Sequence, residues 1–311
     1  MSARTQGVLL GALGVLVFSF TLPATRVAVD DLDPTFVGLG RVVVAAAVAG
    51  LLLAARREAL PPPAIRRRLG IVAVGVVFGF PLFSALALAN LSSAHGAVIV
   101  GLLPAATAVM AVLRAGERPS PAFWAASAAG LVAVLAFAAS QGAGLLNTAD
   151  VLILIAVALA AIGYAEGGAL AREIGGWRVI CWALVLFGPL VMPAVAVAIA
   201  QDGLSAGPVE WLCFAYVALF SQLFGFFAWY RGLALGGVAQ IGQIQLAQPL
   251  LTFVWSAALL GERIGLATLA AAVFVLASVA VTQRTRVYRD DASAASPQTA
   301  PERRLADSPG C

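Results

Sequence analysis

The stretch GGVAQIGQIQLAQPLLTFVWSAALLGER, residues 236–263, decides the fold of this chain. It is apolar enough to cross a membrane, yet it contains four glutamines and a proline and ends in Gly-Glu-Arg. A similar stretch, LSSAHGAVIVGLLPAATAVMAVLRAGER, occupies residues 91–118. Pro249 follows Pro104 by 145 residues, and Glu262 follows Glu117 by the same 145. The sequence is therefore a tandem repeat of two halves.

The composition indicates a membrane protein. Of the 311 residues, 61% are hydrophobic and only 11% are charged, with a mean hydropathy of +0.97. Soluble domains are about half apolar and about a quarter charged, so lipid must solvate most of this surface. The remainder is too short for a separate catalytic domain, and the net charge of +4 comes from arginines in short loops. We therefore expect the lipid bilayer as surroundings and no nucleic acid as a partner.

Ten apolar segments are each long enough to cross the roughly 30 Å hydrocarbon layer of a membrane. Inside lipid the backbone must satisfy its own hydrogen bonds, and a closed barrel would need short alternating strands instead. The sequence therefore predicts an all-α membrane protein with ten transmembrane helices, arranged as two inverted five-helix repeats. The predicted spans are 7–28, 35–54, 69–89, 95–113, 122–140, 149–170, 178–200, 209–230, 236–260 and 264–282.

The connections between the spans predict the domain organisation. We expect a cytoplasmic N-terminus (1–6), a first repeat (7–140), a second repeat (149–282) and a disordered cytoplasmic tail (283–311). Arginines collect in the loops on the side of the N-terminus, and acidic residues collect on the other side, so both termini are predicted to be cytoplasmic. Five helices per repeat make the second repeat enter from the opposite face. Inverted halves of this kind can open the centre first to one side and then to the other.

The paired motifs resemble those of a known family, the EamA-type members of the drug/metabolite transporter superfamily. Each repeat of that family has a proline in its fourth helix and a Gly-Glu-Arg or similar motif that closes the helix. The matching motifs here are Pro104 with Gly116-Glu117-Arg118, Pro249 with Gly261-Glu262-Arg263, Gly40-Arg41, and Tyr230-Arg231-Gly232-Leu233. The resemblance covers residues 7–283. Phe18-Ser19 departs from the Trp-Gly of many members, which puts the packing of the first helix in question.

The resemblance implies a bacterial inner-membrane carrier, often an exporter of amino acids or related small metabolites. It also implies a central cavity built by both halves, chiefly by helices 1, 3, 4, 6, 8 and 9. The residues themselves provide one histidine, no acid pair within a span and no nucleotide-binding motif. We therefore expect no enzyme and no cofactor, and we expect transport of a small-molecule solute to be secondary.

Glu166 is the only acidic residue well inside a predicted span. A charged side chain at the bilayer centre costs at least about 2.5–3.5 kcal/mol, so an interaction or a proton must offset its charge. One interpretation is a cavity-facing carboxylate, close to Tyr164, that binds the solute and carries the coupling proton. The other interpretation is a structural pair with Arg26 or with a tyrosine.

The polar side chains of the ninth span form two sectors. At about 100° per residue, Gln245, Gln248 and Thr252 share one sector. Gln240 and Gln243 share another, nearer the predicted cytoplasmic end. Because amides that face hydrocarbon are costly, the first sector is expected to line the cavity and bind the solute. Hydrogen bonding between helices is the alternative interpretation of these amides.

Two further groups of polar residues allow alternative interpretations. In the eighth span, Gln222 shares a face with Trp229, which indicates a polar group beside an aromatic wall that binds a ring or a cation. Simple packing is the alternative for these aromatic residues. Arg26 and Arg41 lie at the predicted outer ends of the first two spans. Snorkelling and local ion pairing explain both arginines better than capture of an anionic solute does.

The leading prediction is a secondary carrier of a small polar organic solute, an amino acid or a related metabolite. It is expected to export that solute by alternating access, with protons as the candidate coupling ion. Two alternatives lie within transport: an importer, and a multidrug exporter of aromatic or cationic compounds. Alternatives from another class are a membrane receptor and a membrane-embedded enzyme.

Overall fold

Helices account for nearly all of the residues that the computed structural model describes, which are 1–140, 147–260, 274, 277–278, 280–285 and 287–289. The helices of the first half are α1 (Ala3–Ser19), α2 (Thr21–Asp31), α3 (Arg41–Ala55), α4 (Pro63–Val72), α5 (Phe80–Leu88), α6 (Ser93–Val100), α7 (Leu103–Ala115) and α8 (Pro121–Ser140). Those of the second half are α9 (Thr148–Ile174), α10 (Gly176–Phe187), α11 (Met192–Asp202), α12 (Pro208–Tyr216), α13 (Gly225–Gly236), α14 (Val238–Gly242) and α15 (Gln248–Leu260).

Short segments of different helical pitch join several of these α-helices. Three are π-helical: Phe36–Gly40, Ala73–Gly79 and Val217–Phe224. Two are 3-10 helical: Gly188–Val191 and Gln243–Ala247. Such segments within a longer helix often mark functional sites. Ala73–Gly79 and Val217–Phe224 contribute residues to the lining of the central cavity described below. Phe36–Gly40 and Gln243–Ala247 directly precede the lining residues Arg41 and Gln248.

Six helical stretches of the described residues are long and apolar enough to cross a membrane. They are Ala3–Asp31, Phe36–Ala55, Pro63–Leu88, Thr148–Ile174, Gly176–Asp202 and Pro208–Gly236. Two shorter apolar helices are Leu103–Ala115 and Pro121–Val132. The prediction of a multi-pass helical membrane protein is thereby confirmed. Most of the predicted span 264–282, and all of the second Gly-Glu-Arg motif at 261–263, lie outside the described residues.

The structure corrects two predicted boundaries. The third helical stretch begins at Pro63, because a proline suits the first turn of a helix, and Arg68 therefore lies in α4 and not in a loop. The tail predicted to be disordered from residue 283 contains β2 (Val287–Arg289). This strand pairs antiparallel with β1 (Glu117–Pro119) and supplies its backbone groups with partners.

The first helices of the two halves run in opposite directions. The start of α1 packs so closely on the end of α13 that a Cβ added to Gly7 would lie 2.9 Å from the Gly236 nitrogen. The end of α9 lies at the same end of the molecule. Arg172 Nη1 is 3.8 Å from Glu117 Oε1, and Glu117 contacts the start of α14, which directly follows the end of α13. We term this the arginine-rich end; it carries Arg56, Arg68, Arg114, Arg172, Arg178 and Arg231. The opposite, acid-rich end carries Asp30, Asp31, Asp33, Asp150, Asp202 and Glu210.

The packing of α9 on α13 requires glycine at one position. A Cβ added to Gly167 would lie 2.3 Å from two ring carbons of Tyr230. Tyr230 is fully buried, and its hydroxyl donates a hydrogen bond to the Gly163 carbonyl at 3.1 Å. The ring is therefore fixed, and it sets the distance between the two helices that carry Tyr164 and Trp229.

Candidate functional site

A cavity lies in the middle of the molecule, between the two halves. Its volume is about 20 Å³, which is room for roughly one water molecule. Its walls come from predicted spans 1, 3, 4, 6, 8 and 9, as the family resemblance implies, and also from span 2. The polar residues that line it are Thr21, Arg41, Tyr164, Ser221, Gln222 and Gln248.

Three of the predicted site residues line this cavity: Tyr164, Gln222 and Gln248. Gln222 donates from Nε2 to the Val76 carbonyl at 2.9 Å, within the π-helical segment Ala73–Gly79. Gln245 lies next to Gln248, and its Nε2 is 3.5 Å from Gln248 Oε1. The Gln222–Val76 hydrogen bond thus joins the two halves beside the cavity.

Two other predicted site residues, Trp229 and Thr252, are buried but do not line the cavity. The Trp229 ring packs at an angle on Tyr164, with 5.3 Å between ring centroids. Its indole Nε1 has no hydrogen-bond partner among the described residues. The Thr252 hydroxyl donates to the Ser19 carbonyl at 2.7 Å and so ties α15 to the end of α1. A role for either side chain in binding a solute stays a prediction.

Four aromatic rings close the cavity on the side of the arginine-rich end. Phe18 and Phe226 line the cavity and pack with 5.0 Å between centroids. Tyr164 and Trp229 extend the cluster towards the end of α13. Aromatic pairs at these distances stabilise by about 0.5–1.5 kcal/mol beyond the area that they bury. We term these four residues the aromatic layer; by their positions along α1, α9 and α13 they lie on the side of the cavity that is nearer the arginine-rich end.

Glu166 lies two residues after Tyr164 on α9, towards the arginine-rich end, and does not line the cavity. Its Oε1 accepts from Arg68 Nε at 2.5 Å, and its Oε2 accepts from Arg114 Nη2 at 2.8 Å. Arg68 also reaches Glu173 through Nη1 at 2.5 Å. We term these four residues the ionic cluster. Because the arginines belong to the first half and the glutamates to the second, the cluster ties the halves together at the arginine-rich end.

The alternative partners predicted for Glu166 are wrong. Arg26 bonds Asp30 one helical turn away, which confirms the local ion pairing expected for that arginine. Arg68 takes the place of Arg26 because α4 begins earlier than predicted and carries Arg68 to the level of Glu166. The Glu166 side chain is only 5% exposed, so its charge would be costly alone. The two guanidinium groups offset that cost.

Glu117 has a buried carboxylate. The sequence identifies it as part of the Gly-Glu-Arg motif and predicts no contact for it. Both of its oxygens accept backbone hydrogen bonds at the start of α14, from Val238 N–H at 2.8 Å and from Ala239 N–H at 2.7 Å. These N–H groups have no partner within their own helix, and a carboxylate at a helix N-terminus also interacts favourably with the helix dipole. Gly116, with φ of +64°, ends α7 and turns the chain towards this contact.

Another contact at the arginine-rich end also joins the two halves. Arg178 donates from Nε and Nη2 to both oxygens of Glu58, at 2.8 and 2.7 Å. This bidentate hydrogen bonding holds the pKa of the Glu58 carboxyl below its usual value of 4.5. The pair connects the segment after α3 to the start of α10.

The second glutamine sector makes contacts between segments of the bundle. Gln243 donates to the Pro104 carbonyl at 3.2 Å. Gln240 donates to the Thr285 carbonyl at 2.6 Å, and its own carbonyl accepts from Gln283 at 2.5 Å. These contacts fix the 3-10 segment Gln243–Ala247 against α7, and α14 against residues 283–285.

The contacts at the acid-rich end involve different residues. His95 Nε2 lies 2.8 Å from Asp150 Oδ1. Asp150 is 1% exposed, and its Oδ2 also accepts from the Asn147 N–H at 2.8 Å in a capping box that begins α9. The pair joins α6 of the first half to α9 of the second, so each end of the molecule has its own inter-half contacts.

Arg41 overturns a prediction, because it is buried in the cavity wall and does not snorkel to the surface. It is 2% exposed, and its Nη2 donates to the Ser221 hydroxyl at 2.8 Å. Ser221 in turn shares a hydrogen bond of 2.8 Å with Thr21. The physical reason is the close approach of the π-helical segment Phe36–Gly40, which precedes Arg41, to α5: a Cβ added to Gly38 would lie 2.8 Å from the Leu82 Cα.

Sequence reasoning missed Arg41, Ser221 and Thr21 as cavity residues. A signal for Arg41 was present, since it lies six positions inside the predicted span 35–54, where a charge is costly. The hydroxyl residues give no such signal, because single serines and threonines are common in transmembrane helices.

The sequence matches a transporter family, and the fold matches a solved structure. The family model described as the EamA-like transporter family matches twice, over residues 5–139 and 147–284. The chain is 47% identical over 285 residues to the "Uncharacterized transporter YdeK" of Bacillus subtilis (strain 168), across 91% of this chain and 99% of that protein. A solved structure described as "Crystal structure of protein" matches 90% of this chain and 99% of its own, with 21% identity and a TM-score of 0.71, which shows a shared fold. The chain therefore belongs to the EamA-like transporter family and is a multi-pass membrane transporter.

Proposed function

We propose that this transporter is a secondary carrier that exports a small polar organic solute, an amino acid or a related metabolite, by alternating access. In this proposal it spans the bacterial inner membrane with ten helices in two inverted five-helix repeats. In this proposal the arginine-rich end, and with it both termini, faces the cytoplasm, and the excess of arginine at that end supports this orientation.

The observation that carries the proposal is the polar cavity between two oppositely directed halves. Tyr164, Gln222 and Gln248 offer hydrogen-bond donors and acceptors there, which suits a polar solute. The cavity is small in this conformation, so a solute must widen it on binding. Inverted halves can do this by rocking against each other around the central site.

Alternating access needs contacts between the halves that can break at one end while the other end stays closed. At the arginine-rich end these contacts are the ionic cluster, the Glu117 cap of α14 and the Glu58–Arg178 pair. At the acid-rich end His95 bonds Asp150. In our proposal, the first set opens to admit the solute from the cytoplasm, and the second set opens to release it.

We further propose that protons drive the cycle through Glu166. Its carboxylate holds Arg68 and Arg114 of the opposite half by its charge. Protonation removes that charge, leaves the two guanidinium groups to repel each other, and favours separation of the halves at the arginine-rich end. The solute and the proton then act at different places, in the cavity and at the ionic cluster.

Flux in proteoliposomes tests the carrier function. The purified protein is reconstituted, and uptake and release of labelled amino acids, polyamines and sugars are measured with and without a pH gradient. We expect saturable flux of one solute class, slowed at least about tenfold by Gln222→Leu, which removes a buried polar group from the cavity. The control is Phe224→Leu on the same helical stretch, where Phe224 is 40% exposed and faces away from the cavity.

The outcomes separate the alternative functions. Equal flux in both variants would contradict the cavity as the solute path. No flux of any solute in the wild type would contradict transport and favour a receptor or an enzyme. Flux of cationic aromatic compounds alone would favour the multidrug alternative.

A further inference from the structure

Arg41 has an unusual environment for a charged residue. Its guanidinium has five N–H donors, yet Ser221 is its one hydrogen-bond acceptor among the described residues, and Nε and Nη1 have none. No acidic residue of the described chain forms an ion pair with it. Only 2% of its surface is exposed, and it lines the central cavity.

A buried charge without a counter-charge is costly. An arginine side chain keeps its proton in proteins, so it cannot escape the cost by becoming neutral. Removing one partner of a buried ion pair is strongly destabilising, because the other charge stays uncompensated. The carrier tolerates such a cost at Arg41 if a negatively charged group enters the cavity during the cycle.

We propose that Arg41 binds a carboxylate of the transported solute, so that the cargo class is small organic monocarboxylates. The proposal rests on the carrier function above. The planar guanidinium fork matches the two oxygens of a carboxylate, which it holds through two parallel hydrogen bonds. Nε and Nη1 have no partner among the described residues, and Nη2 keeps a second hydrogen beside the one that it donates to Ser221. A carboxylate can therefore pair with Nη2 together with either Nε or Nη1.

The charge of the cavity limits the cargo to a single negative charge. Arg41 is the one cationic residue among the described residues that line the cavity. A phosphate ester carries about −1.5 to −2 charges near neutral pH, and most of its second charge would remain uncompensated here. A cation would be repelled by the guanidinium, which argues against the polyamine and cationic-drug alternatives.

The other cavity residues fit the rest of such a solute. Phe18, Phe226 and Tyr164 offer apolar ring surface next to the cavity. Gln248 offers amide groups on the same wall, and the Gln245 Oε1 behind it is buried without a partner in the described residues. A solute that carries an ammonium or hydroxyl group beside its carboxylate can use these acceptors.

A first experiment uses the wild type alone. The thermal stability of the purified protein is measured with L-phenylalanine, L-leucine and L-threonine, and with the carboxamide of each. A specific ligand raises the melting temperature in a concentration-dependent way. We expect at least one acid to stabilise the protein at concentrations at least about tenfold below those of its amide, since a charged bidentate contact is lost in the amide. Equal effects of every acid and its amide, or no effect of any acid, would overturn the proposal.

A second experiment compares arginine variants in proteoliposomes. The stabilising acid is used for wild type, Arg41→Gln, Arg41→Lys and the control Arg26→Gln, whose arginine is partly exposed and paired with Asp30. We expect flux to fall at least about tenfold in Arg41→Gln and less in Arg41→Lys, which keeps the charge but loses the fork. Arg26→Gln should carry the acid at the wild-type rate.

The results distinguish this proposal from the carrier function on which it rests. Wild-type flux of the acid in Arg41→Gln, or flux restricted to neutral or cationic solutes, would overturn the carboxylate assignment and leave transport intact. Absence of flux for every solute in the wild type would overturn both. If Arg41→Gln does not fold, Arg41→Lys and the acid–amide comparison in the wild type still decide the question.

Discussion

The Glu117 carboxylate accepts a hydrogen bond from the Val238 backbone N–H at 2.8 Å, so the end of α7 in one half caps the start of α14 in the other. A second bond, from the Ala239 N–H, completes the cap. Because Glu117 is fully buried, water cannot replace it. The Gly-Glu-Arg motif of the first repeat thus has a physical role in holding the two halves together.

We expect Glu117→Ala to destabilise the protein by about 2–4 kcal/mol, since two buried N–H groups lose their acceptor. Glu117→Gln keeps one acceptor oxygen and should lose less. Thermal unfolding of the purified variants in detergent measures both effects. Equal melting temperatures for Glu117→Ala and the wild type would contradict the capping role.

Glu166→Gln should uncouple transport from protons while the protein still folds and reaches the membrane. The neutral amide cannot exchange a proton, and it holds Arg68 and Arg114 only weakly. Because those arginines are one-third exposed, we expect a stability loss of about 1–3 kcal/mol, below that of a fully buried pair. Proton-linked flux in proteoliposomes is the measurement.

The matched control for Glu166 is Glu173→Gln, on the same helix and also bonded to Arg68. Its side chain is 47% exposed, so the change should alter stability by no more than about 1 kcal/mol and leave coupling intact. Proton-coupled flux that survives in Glu166→Gln would remove Glu166 from the mechanism. Loss of coupling in both variants would shift the role to Arg68.

The Glu58–Arg178 pair should make stability depend on pH at the acid side. The pKa of Glu58 is lowered in the folded protein by its hydrogen bonds with Arg178, so the folded state favours the ionised form. This contribution is fully present above the usual pKa of 4.5 and is lost as the pH falls through the lowered value. The melting-temperature difference between wild type and Glu58→Gln should therefore shrink in acid. A difference that grows in acid would contradict this sign.

Gly167→Ala should destabilise the protein, because its new methyl group would overlap the fixed Tyr230 ring. Overpacking of this kind typically costs about 1–3 kcal/mol. The control is Gly50→Ala in α3, where a Cβ would make an ordinary contact of 3.7 Å with Val185. That change should leave the melting temperature equal or slightly higher, since alanine favours a helix by up to about 1 kcal/mol over glycine. Equal losses in both variants would contradict the packing argument.

Much of the fold is predictable from the sequence because lipid imposes strong rules. A span needs about 20 apolar residues, and the 145-residue offset between the two Gly-Glu-Arg motifs indicates the duplication. Polar groups are costly in hydrocarbon, so polar residues inside a span are expected to face a cavity. Gln248, Tyr164 and Gln222 are identified on this basis. These three side chains do line the cavity.

The remaining features depend on contacts that no local pattern encodes. Arg41 and Arg26 look alike in sequence, since both lie near the ends of spans, yet one is buried and the other pairs with Asp30. Glu117 lies just past the end of a span and resembles a solvated loop residue, but the start of α14 covers it. Glu166 was identified as important, whereas its partners depend on where α4 begins.

The π-helical segment Val217–Phe224 also affects how the chain tolerates changes in length. A π-helical hydrogen bond spans one residue more than an α-helical one, so one residue can be deleted there while α12 and α13 keep their neighbours. In an uninterrupted helix such as α9, the same deletion would turn everything downstream by about 100°. Around the cavity, therefore, single-residue deletions can be absorbed locally, whereas in α9 they would disrupt the pairing of Glu166 with Arg68 and Arg114.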